Sequence, residues 1–156
     1  GVIRVETARQ MLDAVEAALP ADAAVFAAAV ADWRVAKEAS QKMKKGAGGL
    51  PVLEFAENPD ILAAISRHAQ RPALVVGFAA ETENVIDHAR AKLARKGCDW
   101  IVANDVSPAT GIMGGAENAV HLITAEGAED WPRLHKSEVA ARLAARITAH
   151  LTGHTG

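Results

Sequence analysis

Apolar positions recur along the chain with two periods, and the switches between them mark out its elements. "TARQMLDAVEAAL", residues 7–19, sets Met11, Leu12, Val15, Ala18 and Leu19 on one helix face. Glu6 and Thr7 stand at its start, and Pro20 marks its end. "AAVFAAAVA", residues 23–31, is apolar on both faces, the pattern of a central parallel strand covered by helices on each side. "ALVVGFAA" (73–80) and "DWIVAND" (99–105) repeat that pattern. "NPDILAAISRHA" (58–69) predicts a helix with Asn58 as N-cap, Pro59 at the first helical position and Asp60 complementing the helix dipole. "TENVIDHARAKLARKG" predicts another helix, ended by Gly97. "VIRVET", "PVLEFA" and "AVHLIT" predict short strands, and "HKSEVAARLAARITAHL" a closing helix before a frayed "TGHTG".

The predicted order is β-α-β-loop-β-α-β-α-β-loop-β-α. Strands alternating with helices imply the α/β class: a Rossmann-like open, mostly parallel sheet with helices on both faces. The expected organisation is one domain over residues 1–152 and a tail at 153–156, in keeping with a chain of 156 residues. Ligands of such sheets bind outside the carboxyl ends of the strands, which singles out Asp32, Phe78 to Glu81, Asn104 and Asp105. Doubly wound nucleotide folds often carry a glycine-rich phosphate turn after the first strand, and none follows "VIRVE".

Composition narrows the function classes. Half of the residues are hydrophobic and 23% are charged, enough for a real core. A net charge of −2 argues against a surface that coats nucleic acid, so any polyanion must meet a local patch. The single cysteine, Cys98, allows no disulfide within the chain and fits a reducing compartment. It reads as a small buried hydrophobe rather than a nucleophile. The most apolar stretch, Ala23 to Ala31, is too short to span a bilayer and is flanked by Asp22 and Asp32. The expectation is a cytoplasmic protein that binds neither membrane nor nucleic acid.

The candidate chemistry is cationic. In "QKMKKGAGG", Lys42, Lys44 and Lys45 precede Gly46, Gly48 and Gly49. Lysine supplies point charge, and glycine lets backbone N–H groups approach phosphate oxygens. The same composition also suits a solvated linker, and the GxxxxGK[ST] spacing is absent. Lys92 and Lys96 are four apart and share a helix face, which either faces solvent or reaches toward phosphates. The helix start at "ENPD" can receive an anion or be an ordinary cap. Asp32 and Asp105 each end an apolar strand, where a carboxylate can meet a ribose or base, hold Mg²⁺, or close a turn. The six histidines show no HExxH or zinc-finger spacing, so no protein metal site is expected. GxSxG is missing, and so is tyrosine, which removes the Tyr-xxx-Lys pair of many short-chain reductases.

Six strings, "AAAVADWR", "KMKK", "ENPDIL", "VVGFAAET", "AKLARKGCDWIVANDV" and "NAVHLI", occur in this order over nearly the whole chain. Together they closely resemble the bacterial phosphopantothenate–cysteine ligases, which form the carboxy-terminal half of a bifunctional coenzyme A biosynthesis flavoprotein. The resemblance implies CTP-dependent amide formation between 4′-phosphopantothenate and L-cysteine through an acyl-cytidylate, with Mg²⁺. FMN would belong to the separate decarboxylase half, and a homodimer is implied. Carried over by motif, the nucleotide site falls on Phe26, Ala27, Ala28, Asp32, Lys42, Asn58, Pro59, Asp60, Ile61, Phe78, Lys92 and Lys96. Lys42 would form the acyl-cytidylate from a flap over the nucleotide. The "NPDI" turn and the backbone near Ala28 would select cytosine, and Lys92 and Lys96 would meet phosphates.

The family pattern also includes an upstream "GPT" turn, a "DPVR" segment and an "SNxSSGxxG" run that this sequence does not contain. The chain is therefore expected to be an N-terminally incomplete ligase domain. Met113 replaces a usual phenylalanine. Two other readings stay open: a nucleotide-binding fragment without catalysis, and an NAD(P)-dependent oxidoreductase domain.

Overall fold

A computed structural model describes residues 1–28, 30, 32–35, 54–106 and 117–153. Its elements are α1 (Ala8–Ala17), β1 (Ala23–Phe26), β2 (Trp33–Val35), β3 (Phe55–Glu57), α2 (Ile61–Ser66), β4 (Leu74–Glu81), α3 (Val85–Lys96), β5 (Trp100–Asp105), β6 (Glu117–Thr124), β7 (Gly127–Asp130), β8 (Leu134–His135) and α4 (Lys136–Gly153).

The three apolar runs contain β1, β4 and β5, which are neighbours and parallel; β1 takes only residues 23–26 of its run and lies at the edge of the described sheet rather than at its centre as expected, so Val25 is 44% exposed. The sheet continues antiparallel through β6 to β7, giving the order β1-β4-β5-β6-β7, with β8 paired to β6. Strands β2 and β3 form a separate antiparallel ribbon. Alternate residues of the central strands feed two apolar layers, as the two-residue period of a strand requires. On one face Leu74, Val76, Trp100, Val102 and Leu122 pack against Val139 and Leu143 of α4. On the other, Val75, Ala79, Ile101, Ala103 and Ile123 pack with Leu62 of α2 and Ala89 of α3. Leu12 of α1 joins Ile61 and Ile65 in a third cluster. Helices therefore cover both faces of an open α/β sheet, as the alternating pattern predicts.

Local chemistry explains the element ends. Thr7 accepts from the Gln10 N–H while the Gln10 side chain returns to the Thr7 N–H, a capping box that starts α1. Gly97 closes α3 with φ of 73°, a left-handed turn that a Cβ disfavours. Gly77 of β4 serves close approach instead. A Cβ there would lie 2.6 Å from Leu62 Cδ2, so α2 sits directly on the strand.

Three expectations are corrected. "VIRVET" forms no strand: residues 1–5 are unpaired, with Val2 and Ile3 89% and 71% exposed. A strand needs a neighbour, and among the described strands none pairs with residues 1–5. The N-cap of α2 is Asp60, not Asn58, and Pro59 precedes the helix instead of opening it. Asp60 Oδ1 accepts the Ala63 N–H at 3.1 Å, whereas the Asn58 N–H goes to the Asp32 carbonyl at 2.7 Å. The polar strands β7 and β8 were not expected, and α4 runs to Gly153, one residue into the expected tail.

Candidate functional site at the carboxyl end of the sheet

The carboxyl ends of β1 and β4 carry the predicted residues. Phe26 ends β1, lies in register with Gly77 and packs toward α1 and α2. Ala27 and Ala28 follow it, exposed at the strand end. The Asp32–Asn58 backbone bond ties the turn after β1 to the segment leading into α2, so Asp32, Asn58, Pro59, Asp60 and Ile61 share one neighbourhood.

Helix α3 closes this neighbourhood from the other side. His88, Lys92 and Lys96 are spaced by four residues and share one of its faces. Each has an acceptor from an earlier element. His88 Nδ1 lies 3.2 Å from Glu81 Oε2, Lys92 Nζ donates to the Phe78 carbonyl at 2.7 Å, and Lys96 Nζ donates to Asp60 Oδ2. The lysines and their acceptors are separated by 14 and 36 residues in sequence, and the packing of α3 on β4 and α2 brings them together.

Burial and charge tune these groups. Burial pushes the Lys92 ammonium below the ordinary lysine pKa, and the nearby Lys96 and Arg95 charges push it further; Glu81 opposes them. Burial by itself would raise the Asp60 carboxyl. The Lys96 ammonium, the Ala63 N–H and the Lys92 charge more than offset it, so Asp60 lies below its usual value and stays ionised at neutral pH. Cys98 lies behind this cluster at the start of β5; burial raises its thiol, which suits a packing residue rather than a nucleophile.

A cavity of about 620 Å³ opens on the opposite face of the sheet, beneath α4. Ala27 and the Phe78 side chain border it, with Val102, Asn104, Val120 and Lys136 among its other walls. Among the described residues of this lining, Lys136 is the one charged side chain, so the two-lysine face of α3 suits a polyanion better than the cavity does.

Among the described predicted residues, the structure joins Asp32 to Asn58, Lys92 to the Phe78 carbonyl and Lys96 to Asp60, and packs Phe26 near Ile61; the Phe78 side chain faces the cavity on the other side of the sheet, and Lys96, the last residue of α3, reaches Asp60 from the amino end. Lys42, with Lys44 and Lys45, lies outside the described residues, as does Met113. Sequence reading missed Glu81–His88 as a pair and Asp60 as the partner of Lys96. Glu81 stood within the selected strand end, and His88 stands four residues before Lys92, so helical spacing was the signal available. Among the described residues, no group of three or more His, Cys, Asp or Glu side chains is arranged to hold a metal ion, and no helix is long and apolar enough to cross a membrane.

Known proteins resemble this chain in sequence and fold. Residues 1–151 match the family model described as the DNA/pantothenate metabolism flavoprotein C-terminal domain. The coenzyme A biosynthesis bifunctional protein CoaBC of Mycobacterium bovis is 50% identical over 115 residues, covering 67% of this chain and 28% of that protein. Its Escherichia coli K12 counterpart is 40% identical over 144 residues, covering 90% of this chain and 35% of that protein. The crystal structure of the C-terminal domain of a CoaBC protein superposes with a TM-score of 0.73 at 30% identity, covering 97% of this chain and 68% of that one. The chain therefore spans about a third of the length of these curated relatives. With the family model matched almost from end to end, the chain belongs to the DNA/pantothenate metabolism flavoprotein C-terminal domain family.

Proposed function

We propose that this chain is the nucleotide-binding part of a phosphopantothenate–cysteine ligase in coenzyme A biosynthesis. The observation that carries the reading is the two-lysine face of α3, held against β4 through Phe78 and against the start of α2 through Asp60. A triphosphate and a carboxylate repel each other, and amide formation through an acyl-cytidylate requires both within bonding distance. Preset cations reduce that repulsion and stabilise the charge that develops on the phosphate oxygens.

In this reading Lys92 and Lys96 meet the triphosphate. The Asp32–Asn58 bond fixes a polar rim for ribose and base, and Phe26 and Ile61 give it an apolar floor. Lys42, which lies outside the described residues, would stabilise the acyl-cytidylate as pyrophosphate leaves. The amine of L-cysteine then attacks the acyl carbon, and CMP departs. Mg²⁺ would enter bound to the phosphates and help offset their charge. FMN belongs to the decarboxylase half of the parent protein. A homodimer, a cytoplasmic location and a single domain over residues 1–152 complete the proposal.

The test is calorimetric titration of the chain with CTP and Mg²⁺, with ATP and NADPH as controls, beside a pyrophosphate-release assay containing 4′-phosphopantothenate. Selective CTP binding supports the nucleotide site, and pyrophosphate release adds catalysis by this chain. Preference for NADPH would overturn the proposal in favour of an oxidoreductase domain.

A further inference from the structure

The resemblance assigns Lys96 and Asp60 to one nucleotide site, yet the two side chains bind each other. Asp60 divides its carboxylate between two tasks. Oδ1 caps α2 through the Ala63 N–H, and Oδ2 holds the Lys96 ammonium. Lys96 is only 17% exposed, while Asp60 is 46% exposed and open to exchange with solvent. Lys92 lies close enough for its charge to act on both Asp60 and Lys96, but its own bond is to a neutral carbonyl. The carboxylate therefore offsets the repulsion between two lysines on one helix face. A bound phosphate would perform the same task, and it would be repelled by Asp60 while doing so.

We propose that the Asp60–Lys96 pair is a charge latch that selects for phosphate chains over single phosphates. A chain carrying charge to both Lys92 and Lys96 gains enough attraction to displace the Asp60 carboxylate from Lys96. A single phosphate reaches one lysine and competes poorly with a carboxylate already attached to its own helix cap. Lysine suits such an exchange, because its ammonium is a compact charge on a flexible stem and not a fixed fork. The inference rests on the reading that these lysines meet phosphate, and adds what determines which phosphate they accept.

Asp60→Asn isolates the latch, because asparagine keeps the capping oxygen and removes the charge. The chain and this variant are titrated with inorganic phosphate, tripolyphosphate, CTP and ATP at fixed ionic strength. Inorganic phosphate should bind about fivefold more tightly to Asp60→Asn, with a much smaller gain for tripolyphosphate, so the preference for the longer anion falls. In a Lys96→Met background, the Asp60→Asn effect should vanish. Equal weakening of both anions by Asp60→Asn would overturn the latch, by making Asp60 part of the binding surface. An unchanged preference ratio would overturn it too.

A second measurement covers a variant that misfolds. Carboxyl NMR titration of Asp60 in the unmodified chain should show its pKa rise when tripolyphosphate binds. An unmoved Asp60 with the anion bound would defeat the latch. The nucleotide arms keep the two claims apart. A working latch without preference for CTP over ATP refutes the ligase reading and spares the latch. A CTP-selective site with an unchanged anion ratio does the reverse. No binding of any anion by the folded chain refutes both.

Discussion

Arg71 and Lys92 are both partly buried cations at the rim of the same sheet, but at opposite ends. At the amino end, Arg71 donates to the Ser66 carbonyl at 2.8 Å, the Pro72 carbonyl at 2.9 Å and Asp99 Oδ2 at 2.9 Å. Asp99 Oδ2 also accepts the Val75 N–H at 2.8 Å, which fastens the first residues of β4 to those of β5. Along α3, among the described residues, Lys92 has one bond to a β4 carbonyl, and Lys96 reaches from the last turn of the helix to one half-exposed carboxylate at the start of α2. Guanidinium, with five fixed donors, locks a loop. Ammonium, with one movable charge, leaves its partner replaceable. In the proposed reading, the number and kind of their partners, and not the cations themselves, separate a structural end from a binding end.

The comparison is most sharply broken at Asp99. Asp99→Ala strips the buried Val75 N–H of its acceptor and leaves Arg71 without its carboxylate. The expected loss is about 2–3 kcal/mol in urea unfolding, with anion binding at the far end little changed in the folded fraction. Gly77→Ala should cost about 1–3 kcal/mol, because its methyl meets Leu62 at 2.6 Å and Ile101 at 3.1 Å. That change also displaces α2, so it should weaken CTP binding, unlike Asp99→Ala. Lys96→Met should reverse the pattern: about tenfold weaker CTP binding in calorimetry, with unfolding shifted by less than about 1 kcal/mol.

The smallest effect is the pH dependence of Asp60. Its folded pKa lies below the 3.8 of the ordinary group, so the folded state binds fewer protons than the unfolded state as the group titrates. Its contribution is fully present above the unfolded value and fades as pH falls through the folded one. Asp60 is nearly half exposed, so solvent screening keeps the effect below about 1 kcal/mol. Melting temperatures of the chain and Asp60→Asn should differ slightly at neutral pH and converge in acid. A gap that widens in acid would contradict the ion pair.

The same contrast explains what the sequence revealed. The strands β4 and β5 were legible because both faces are buried, which leaves uninterrupted apolar runs such as "ALVVGFAA"; β1 shares the apolar composition but lies at the edge of the described sheet, with Val25 44% exposed. Helix α3 was legible from spacing and from Gly97. The α2 cap was not, because Asn58 and Asp60 are both good N-caps two residues apart. Distant partners decided between them: the Asp32 carbonyl took the Asn58 N–H, and Lys96 took the free oxygen of Asp60. "VIRVET" had the composition of a strand, but pairing needs a neighbour that local composition does not specify. The strands β7 and β8 are four and two residues long, too short to show a period, and exist through pairing with β6. In the site, helical spacing put Lys92 and Lys96 together. Their acceptors come from other elements, so the latch could be seen only in three dimensions.

The most direct test of the central claim, that the carboxyl end binds nucleotide while the amino end is structural, is amide chemical-shift mapping of the labelled chain with CTP and Mg²⁺. The account predicts saturable shifts at Phe26 to Ala28, Asp32, Asn58, Asp60, Ile61, Phe78, Lys92 and Lys96, with Arg71, Val75 and Asp99 unmoved. Shifts centred on Arg71 and Asp99, or no saturable shifts at the carboxyl end of the folded chain, would contradict it.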